Sequence, residues 1–304
     1  MSKRWDKKKR SKLKNTLRDD AYRRLNGLYQ AGKGRSRRLD KAKKIDSQYI
    51  YSSRTYETYK ANSKLFINWI LKQHPEVRHL KECAPYANEW IESQIISGYS
   101  PWTVATRKAA ISKLLDIPYC DLITTPSRCR AQIQRSRARV ERDRHISNDK
   151  EAFYAMITSA TGLRRNELLK IRGTDLKSEI SKDGSVCYYL HITRGTKGGR
   201  IRDSIVMGST VEETLHIVNL FRAAGNHLIC PKIPNAYDNH HFRAIYAKRL
   251  YGQYARPIET IPREDRYIMR KDRAGEVLDR KAMLIVSRNL GHSRPDVIAQ
   301  NYLY

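Results

Sequence analysis

Acidic residues are in short supply in this sequence. Its 31 Asp and Glu stand against 60 Lys and Arg, a formal net charge of +29 over 304 residues. A compact chain with that excess repels itself, and a polyanion that neutralises it relieves the repulsion. Long apolar runs are also missing. No stretch approaches the roughly 18–20 apolar residues of a membrane-spanning helix, and the basic opening residues lead into no apolar segment suited to a secretion signal. An anionic membrane surface is therefore the weaker partner for the charge, and nucleic acid the stronger. Cysteine is sparse: Cys83, Cys120, Cys129, Cys187 and Cys230 are scattered, with no Cys-x-x-Cys pair. That argues against a zinc site and a disulfide framework and suits a reducing cytoplasm, with the cysteines acting as small buried apolar residues. Internal repeats and a Gly-rich nucleotide-binding fingerprint are absent too.

A chain of this length is expected to form two domains. The periodicity implies a mainly α fold with a small β component, of the α+β type. Residues 1–45 form a basic arm in which Leu13, Leu17, Ala21, Leu25 and Leu28 recur at helical spacing before Gly32 and Gly34. The arm reads equally as a short amphipathic helix or a solvated tail, and Gly27 weakens the helical reading. Residues 46–125 read as a small helical domain. Tyr56, Tyr59, Ser63, Phe66 and Ile70 trace one helix face, with Ile67 and Trp69 widening it. Ala84 to Ser97 gives a second helix closed by Gly98, and Ser100-Pro101 has the form of an N-cap followed by proline at the first helical position.

Residues 126–145 are the linker candidate, dense in arginine and poor in apolar residues. Arg135, Arg137, Arg139 and Arg142 are expected to lie along DNA phosphates, a role that suits guanidinium; a solvated charged helix is the alternative. The second domain, 146–304, opens with a helix from Ser147 or Asn148 to Ala160. Thr161-Gly162 interrupts it ahead of a second helix, Arg164 to Lys170. A hairpin follows, with Tyr188, Leu190 and Ile192 alternating, a turn at Lys197-Gly198-Gly199, and a return over Arg200 to Val206. Another hairpin is expected near residues 267–278.

Breaking a phosphodiester without a metal requires a nucleophile that can form a covalent link and fixed cations for the developing phosphate charge. It also requires one group to take a proton and another to protonate the leaving oxygen. The second domain carries candidates for all of these. The segment from Ala160 to Leu169 holds Arg164 and Glu167, the hairpin turn holds Lys197, and His240 stands three residues before Arg243. Leu290-Gly291-His292 follows, and then Tyr302. In order, identity and approximate spacing these resemble the arginine box, hairpin lysine, His-x-x-Arg box, Leu-Gly-His box and nucleophile of the tyrosine recombinases, the phage integrase family. The resemblance covers about residues 46–304 and is specific only in the second domain.

The resemblance implies that Arg164 and Arg243 fork onto the scissile phosphate, a geometry lysine cannot reproduce. His292 would donate to the same phosphate, and His240, with its neighbour His241 as a rival, would take the tyrosine proton. Lys197 would protonate the departing 5′ oxygen, with Arg194 and Arg200 as rivals, and Glu167 would orient Arg164. It implies no cofactor and no metal. The partners implied are double-stranded DNA at specific recombination sites, a tetramer on two duplexes, and accessory DNA-bending proteins. The setting implied is the cytoplasm of a prokaryotic cell, on a phage, plasmid or conjugative element.

This sequence departs from the family pattern in three ways. The interval from Arg243 to His292 is long, Tyr302 lies one residue beyond the usual position, and only Leu303 and Tyr304 follow it. Between the two tyrosines, Pro295 is expected to open the last helix so that Tyr302 shares a face with apolar Ile298, favouring Tyr302 over Tyr304. The alternatives to a recombinase are a type IB topoisomerase or telomere resolvase with the same chemistry, and an inactive DNA-binding accessory protein.

Overall fold

The structure, a computed structural model, describes residues 2–45, 48–128, 146–180, 184–234, 237–270 and 273–303, with side chains of the first helix described from residue 16. The chain divides into two compact units, Met1–Gln132 and Ile133–Tyr304. Among the described residues no helix is long and apolar enough to cross a membrane. The Arg-rich segment falls largely at 129–145, so Arg135, Arg137, Arg139 and Arg142 lie outside the described residues.

The regular elements among the first unit's described residues are helices: α1 (Ser2–Gly32), α2 (Arg37–Ala42), α3 (Ser53–Gln73), α4 (Ala87–Ile96) and α5 (Pro101–Leu115), with short 3₁₀ turns between them. Tyr56, Ser63, Phe66, Ile67 and Ile70 form the buried stripe of α3, as its periodicity requires. Ser52 caps that helix by accepting from the Thr55 N–H at 3.1 Å. The Ser100-Pro101 start of α5 is likewise capped, the Ser100 hydroxyl accepting from the Thr103 N–H at 3.3 Å. The segment from Leu80 to Tyr86 winds as a 3₁₀ helix and α4 begins only at Ala87, later than the sequence suggested. Pro85 lies in that stretch and has no N–H to give an α-helical ladder.

The basic arm behaves differently from a free tail. Leu17, Ala21 and Leu25 are buried and join one core cluster with residues of α3 and α5. Three apolar residues spaced by four form a stripe narrow enough for a very polar helix, and packing against α3 holds it where propensity alone would not. Residues 17–25 are therefore part of the first unit's core.

The second unit builds α6 (Asn148–Thr161), α7 (Arg165–Leu168), α8 (Val211–Ala224), α9 (Asn239–Tyr254), α10 (Arg280–Asn289) and α11 (Asp296–Asn301) around two small antiparallel sheets. The first sheet has the order β1 (Leu176–Ile180), β2 (Val186–Ile192), β3 (Arg202–Ile205). Its register pairs Leu190 with Ser204 and Ile192 with Arg202. The Lys197–Gly199 turn joins β2 to β3 where the sequence placed it. Strand β1 has no alternating pattern of its own and is mostly exposed, so only its pairing with β2 marks it as a strand. The second sheet, β4 (Arg266–Ile268) and β5 (Val277–Asp279), is the hairpin expected near 267–278, with Tyr267 opposite Leu278. The architecture is mainly α with a small β component. The helix expected from Arg164 to Lys170 shrinks to α7, and Arg164 is its extended capping residue (φ −74°, ψ 157°).

Candidate active site

Four chain reversals deliver the site's side chains. Helix α6 ends at Gly162, whose φ of +58° lies in the left-handed region that glycine tolerates. A Cβ there would come within 2.3 Å of the Tyr246 ring, so the turn also needs the missing side chain. Two residues later Arg164 starts α7, and Glu167 accepts from the Arg164 N–H at 2.7 Å and from its Nη1 at 2.9 Å. Asp238 caps α9 by accepting from the N–H groups of His240 and His241, both at 3.1 Å. Arg243 follows one turn further on. Helix α10 ends in the Leu290-Gly291 turn, where Gly291 has φ +68°. A Cβ at Gly291 would lie 2.7 Å from Arg202 Cδ and 3.1 Å from Arg164 Nη1. Pro295 opens α11 at its N-cap, and the Tyr302 N–H closes it on the Ile298 carbonyl at 2.9 Å.

These reversals converge on one carbonyl. Leu290 O accepts from Arg164 Nη2 at 2.8 Å and from Arg243 Nη2. Arg243 also donates from Nη1 to Gly162 O and from Nε to the Tyr302 hydroxyl at 3.2 Å. His292 Nε2 lies 3.4 Å from the same hydroxyl. Tyr302 is buried beside Ile298, on the face the sequence assigned to it. Arg164, Arg243, His292 and Tyr302 thus come together from four helix ends.

The electrostatics of the cluster are unbalanced. Against the three guanidiniums of Arg164, Arg202 and Arg243 stands the carboxylate of Glu167, which bonds Arg164 and, at 2.7 Å, Arg202. Arg243 is fully buried and, among the described residues, forms no ion pair of its own. Burial lowers its affinity for its proton, to a pKa of about 10, and Arg202 and Arg164 add to the effect. It stays charged at neutral pH. Burial would raise the Glu167 carboxyl, but Arg202 and Arg164 outweigh it and hold the group below the ordinary carboxylate range. His292 is pushed down to about 4, first by burial and then by Arg243, Arg164, Arg202 and Lys197. A buried cationic cluster that suppresses a neighbouring imidazolium is a site prepared for an anion.

Lys197 is exposed on its turn, and His240 is exposed in the first turn of α9. His241 is half-buried, edge-on to Phe242 with ring centres 5.0 Å apart. Glu167 stands where an orienting carboxylate should. Arg202 is the residue that sequence reasoning missed. It is buried, bonds Glu167 and the Asn289 carbonyl, and its Nε has no partner among the described residues. Strand alternation could have flagged it, since Arg202 and Ser204 face inward together, but an inward pair of polar residues gives no apolar alternation to read. Beside His292 an open cleft of about 560 Å³ is lined by Arg200, Arg202, Arg288 and Gly291, among others.

No protein-family model matches the chain, and no curated protein matches it. Among solved structures the chain is similar to the XerH site-specific recombinase bound to palindromic difH substrate in a post-cleavage complex. The two share 15% identity over 96% of this chain and 93% of that one, with a TM-score of 0.49. It is also similar to the Tn1549 transposon integrase in complex with a circular intermediate DNA, at 15% identity over 86% of this chain and 93% of that one, TM-score 0.42. XerA recombinase matches at 14% identity over 83% and 87% of the two chains, TM-score 0.27.

Proposed function

We propose that the chain is a site-specific DNA recombinase of the tyrosine recombinase (integrase) kind. The observation that carries this reading is the Tyr302 hydroxyl, held 3.2 Å from the buried Arg243 Nε in a cluster where Arg164 and Arg202 share the Glu167 carboxylate. The Tyr302 oxygen attacks phosphorus, the bond to the 5′ oxygen breaks, and the 3′ phosphate stays on the tyrosine. A 5′ hydroxyl from a partner duplex then reverses the step, so bond energy is conserved. Arg164 and Arg243 bear the charge that develops on the non-bridging oxygens. His292, neutral in the DNA-free protein, donates one hydrogen bond to the same phosphate. His240 takes the tyrosine proton, and Lys197 gives one to the leaving 5′ oxygen from its exposed turn. On this reading the Arg-rich 126–145 segment lies along phosphates, and the enzyme works as a tetramer on two duplexes, with accessory DNA-bending proteins, in a prokaryotic cytoplasm.

The test uses the full chain and duplexes spanning the ends of the genetic element that encodes it, each nicked beside the cleavage position so that the released strand is lost. The expected product is a covalent adduct that maps to Tyr302. Joined strands from two different duplexes distinguish a recombinase from a topoisomerase, which needs only one. Absence of any adduct across all such duplexes would overturn the proposal.

A further inference from the structure

We propose that Arg273, in the turn between β4 and β5, is a positioning residue that clasps the Tyr302 segment. The inference rests on the reading of Tyr302 as the nucleophile. The segment carrying Tyr302 has little of its own to hold it. Helix α11 spans six residues, and beyond it the N–H groups of Tyr302 and Leu303 both lean on the Ile298 carbonyl, at 2.9 and 3.1 Å. So short a helix is marginal without outside support.

The β4–β5 hairpin supplies that support. Arg273 donates from Nη1 to the Leu303 carbonyl, one residue past the nucleophile. Its two other donor groups are engaged by Glu276, Nε at 2.7 Å and Nη2 on the second oxygen. The guanidinium is thus fixed on one side by a carboxylate and presents its remaining nitrogen to the backbone. Met269, at the base of the same turn, is buried in the cluster that holds Ile298, Tyr302 and Leu303, and Tyr267 and Leu278 pack against that cluster. The turn is itself closed, with the Met269 N–H on the Glu276 carbonyl at 2.8 Å.

The far end of the hairpin is anchored to the start of α10. Asp279, at the end of β5, is fully buried and accepts from Arg256 Nε at 2.7 Å and from Arg256 Nη2 at 2.8 Å. The same carboxylate caps α10, accepting from the Lys281 N–H at 2.9 Å. Helix α10 leads directly to Leu290 and His292. One continuous set of fixed groups therefore runs from the Leu290 turn through Asp279, β5, Glu276 and Arg273 back to Leu303. It sets the distance between the nucleophile and the guanidiniums that must receive the phosphate. The long interval between Arg243 and His292 is the stretch that contains this clasp.

A nucleophile displaced by about 1 Å can lose about 100-fold in rate. Arg273→Ala is therefore expected to slow adduct formation on the nicked duplexes by about 10- to 100-fold while leaving DNA affinity and melting temperature unchanged. Hydrogen exchange in the DNA-free full chain should accelerate at the amides of Tyr302 and Leu303 and not within α10. Glu276→Ala should reproduce both effects, and the double variant should be no slower than Arg273→Ala. Arg273→Lys keeps a donor for the Leu303 carbonyl and should recover part of the rate, which a simple loss of packing would not allow. Unchanged exchange at Tyr302 and Leu303 in Arg273→Ala overturns the clasp. So does faster exchange with an unaltered rate of adduct formation. An adduct formed by Tyr302→Phe would instead refute the nucleophile, so the two failures are told apart.

Discussion

Arg243 Nε and the Tyr302 hydroxyl lie 3.2 Å apart although 59 residues separate them in the chain. The contact joins a fully buried cation to the hydroxyl proposed above as the nucleophile. It leaves the tyrosine oxygen an acceptor facing positive charge.

Lysine cannot replace either arginine. Arg243 serves Gly162 O, Leu290 O and the Tyr302 hydroxyl at once, and an ammonium on a flexible stem cannot span the three. Arg243→Lys and Arg164→Lys should each cut adduct formation by about 100-fold or more, within the usual range for losing a fixed charge-stabilising donor. DNA affinity, measured by filter binding, should stay near that of the parent. An unimpaired Arg243→Lys enzyme would remove Arg243 from the site.

Tyr302→Phe should bind DNA and form no covalent complex, which a denaturing gel reads directly. It should also melt lower, because Arg243 Nε loses its acceptor in a buried place, at a cost of about 1–3 kcal/mol. Tyr304→Phe should still form the adduct.

Protonation of His292 should be linked to phosphate binding. Its pKa sits near 4 in the DNA-free fold against an ordinary 6.5. Between those values the unfolded chain binds more protons than the folded one. The stability that comes with neutral His292 is therefore complete above pH 6.5 and is lost as the pH falls toward 4. A phosphate in the cluster offsets the arginines and raises the imidazole. DNA binding should accordingly take up a proton in that window, seen as affinity that rises on acidification. In His292→Gln this component should vanish; its persistence would assign the proton to another group.

Glu167→Gln should destabilise the second unit more than it weakens DNA binding. Removing one partner of a buried ion pair costs about 3–5 kcal/mol, and here two guanidiniums lose their carboxylate together. Thermal unfolding checks this, and a melting temperature within error of the parent would contradict the shared-carboxylate arrangement.

The first helix should matter for folding. Leu25 is buried in the first unit's core, so Leu25→Ala should cost about 2–5 kcal/mol, and deleting residues 1–45 should unfold that unit. A deletion protein with the parent's helical signal and melting behaviour would return the segment to a free arm.

Much of this was legible in the sequence because the relevant signals are local. Periodicity marked α3, the Ser100-Pro101 pair marked the start of α5, and alternation with a Gly-Gly turn marked β2 and β3. Arg164, Arg243, His292 and Tyr302 were legible as a set, by order and spacing, and the fold gathers them at one point. What escaped has long-range causes. Strand β1 exists only through its partner. The burial of Leu17, Ala21 and Leu25 depends on α3, and no property of those three residues alone separates a docked stripe from a frayed one. Arg202 looks like any surface arginine until the turn at Gly291 closes over it. The Arg273 contact depends on residues 30 positions apart meeting at a backbone oxygen, which no side-chain pattern announces.

The shared Leu290 carbonyl has a consequence for how the site comes into being. Chains emerge from the ribosome N-terminus first. Both arginines that bond this oxygen, and the carboxylate between them, are made well before the turn that supplies it. His292 and Tyr302 come later still. A nascent chain therefore carries these two arginines and their carboxylate before the oxygen that gathers the guanidiniums exists. On the reading proposed above, a chain halted before that turn would hold DNA without breaking it.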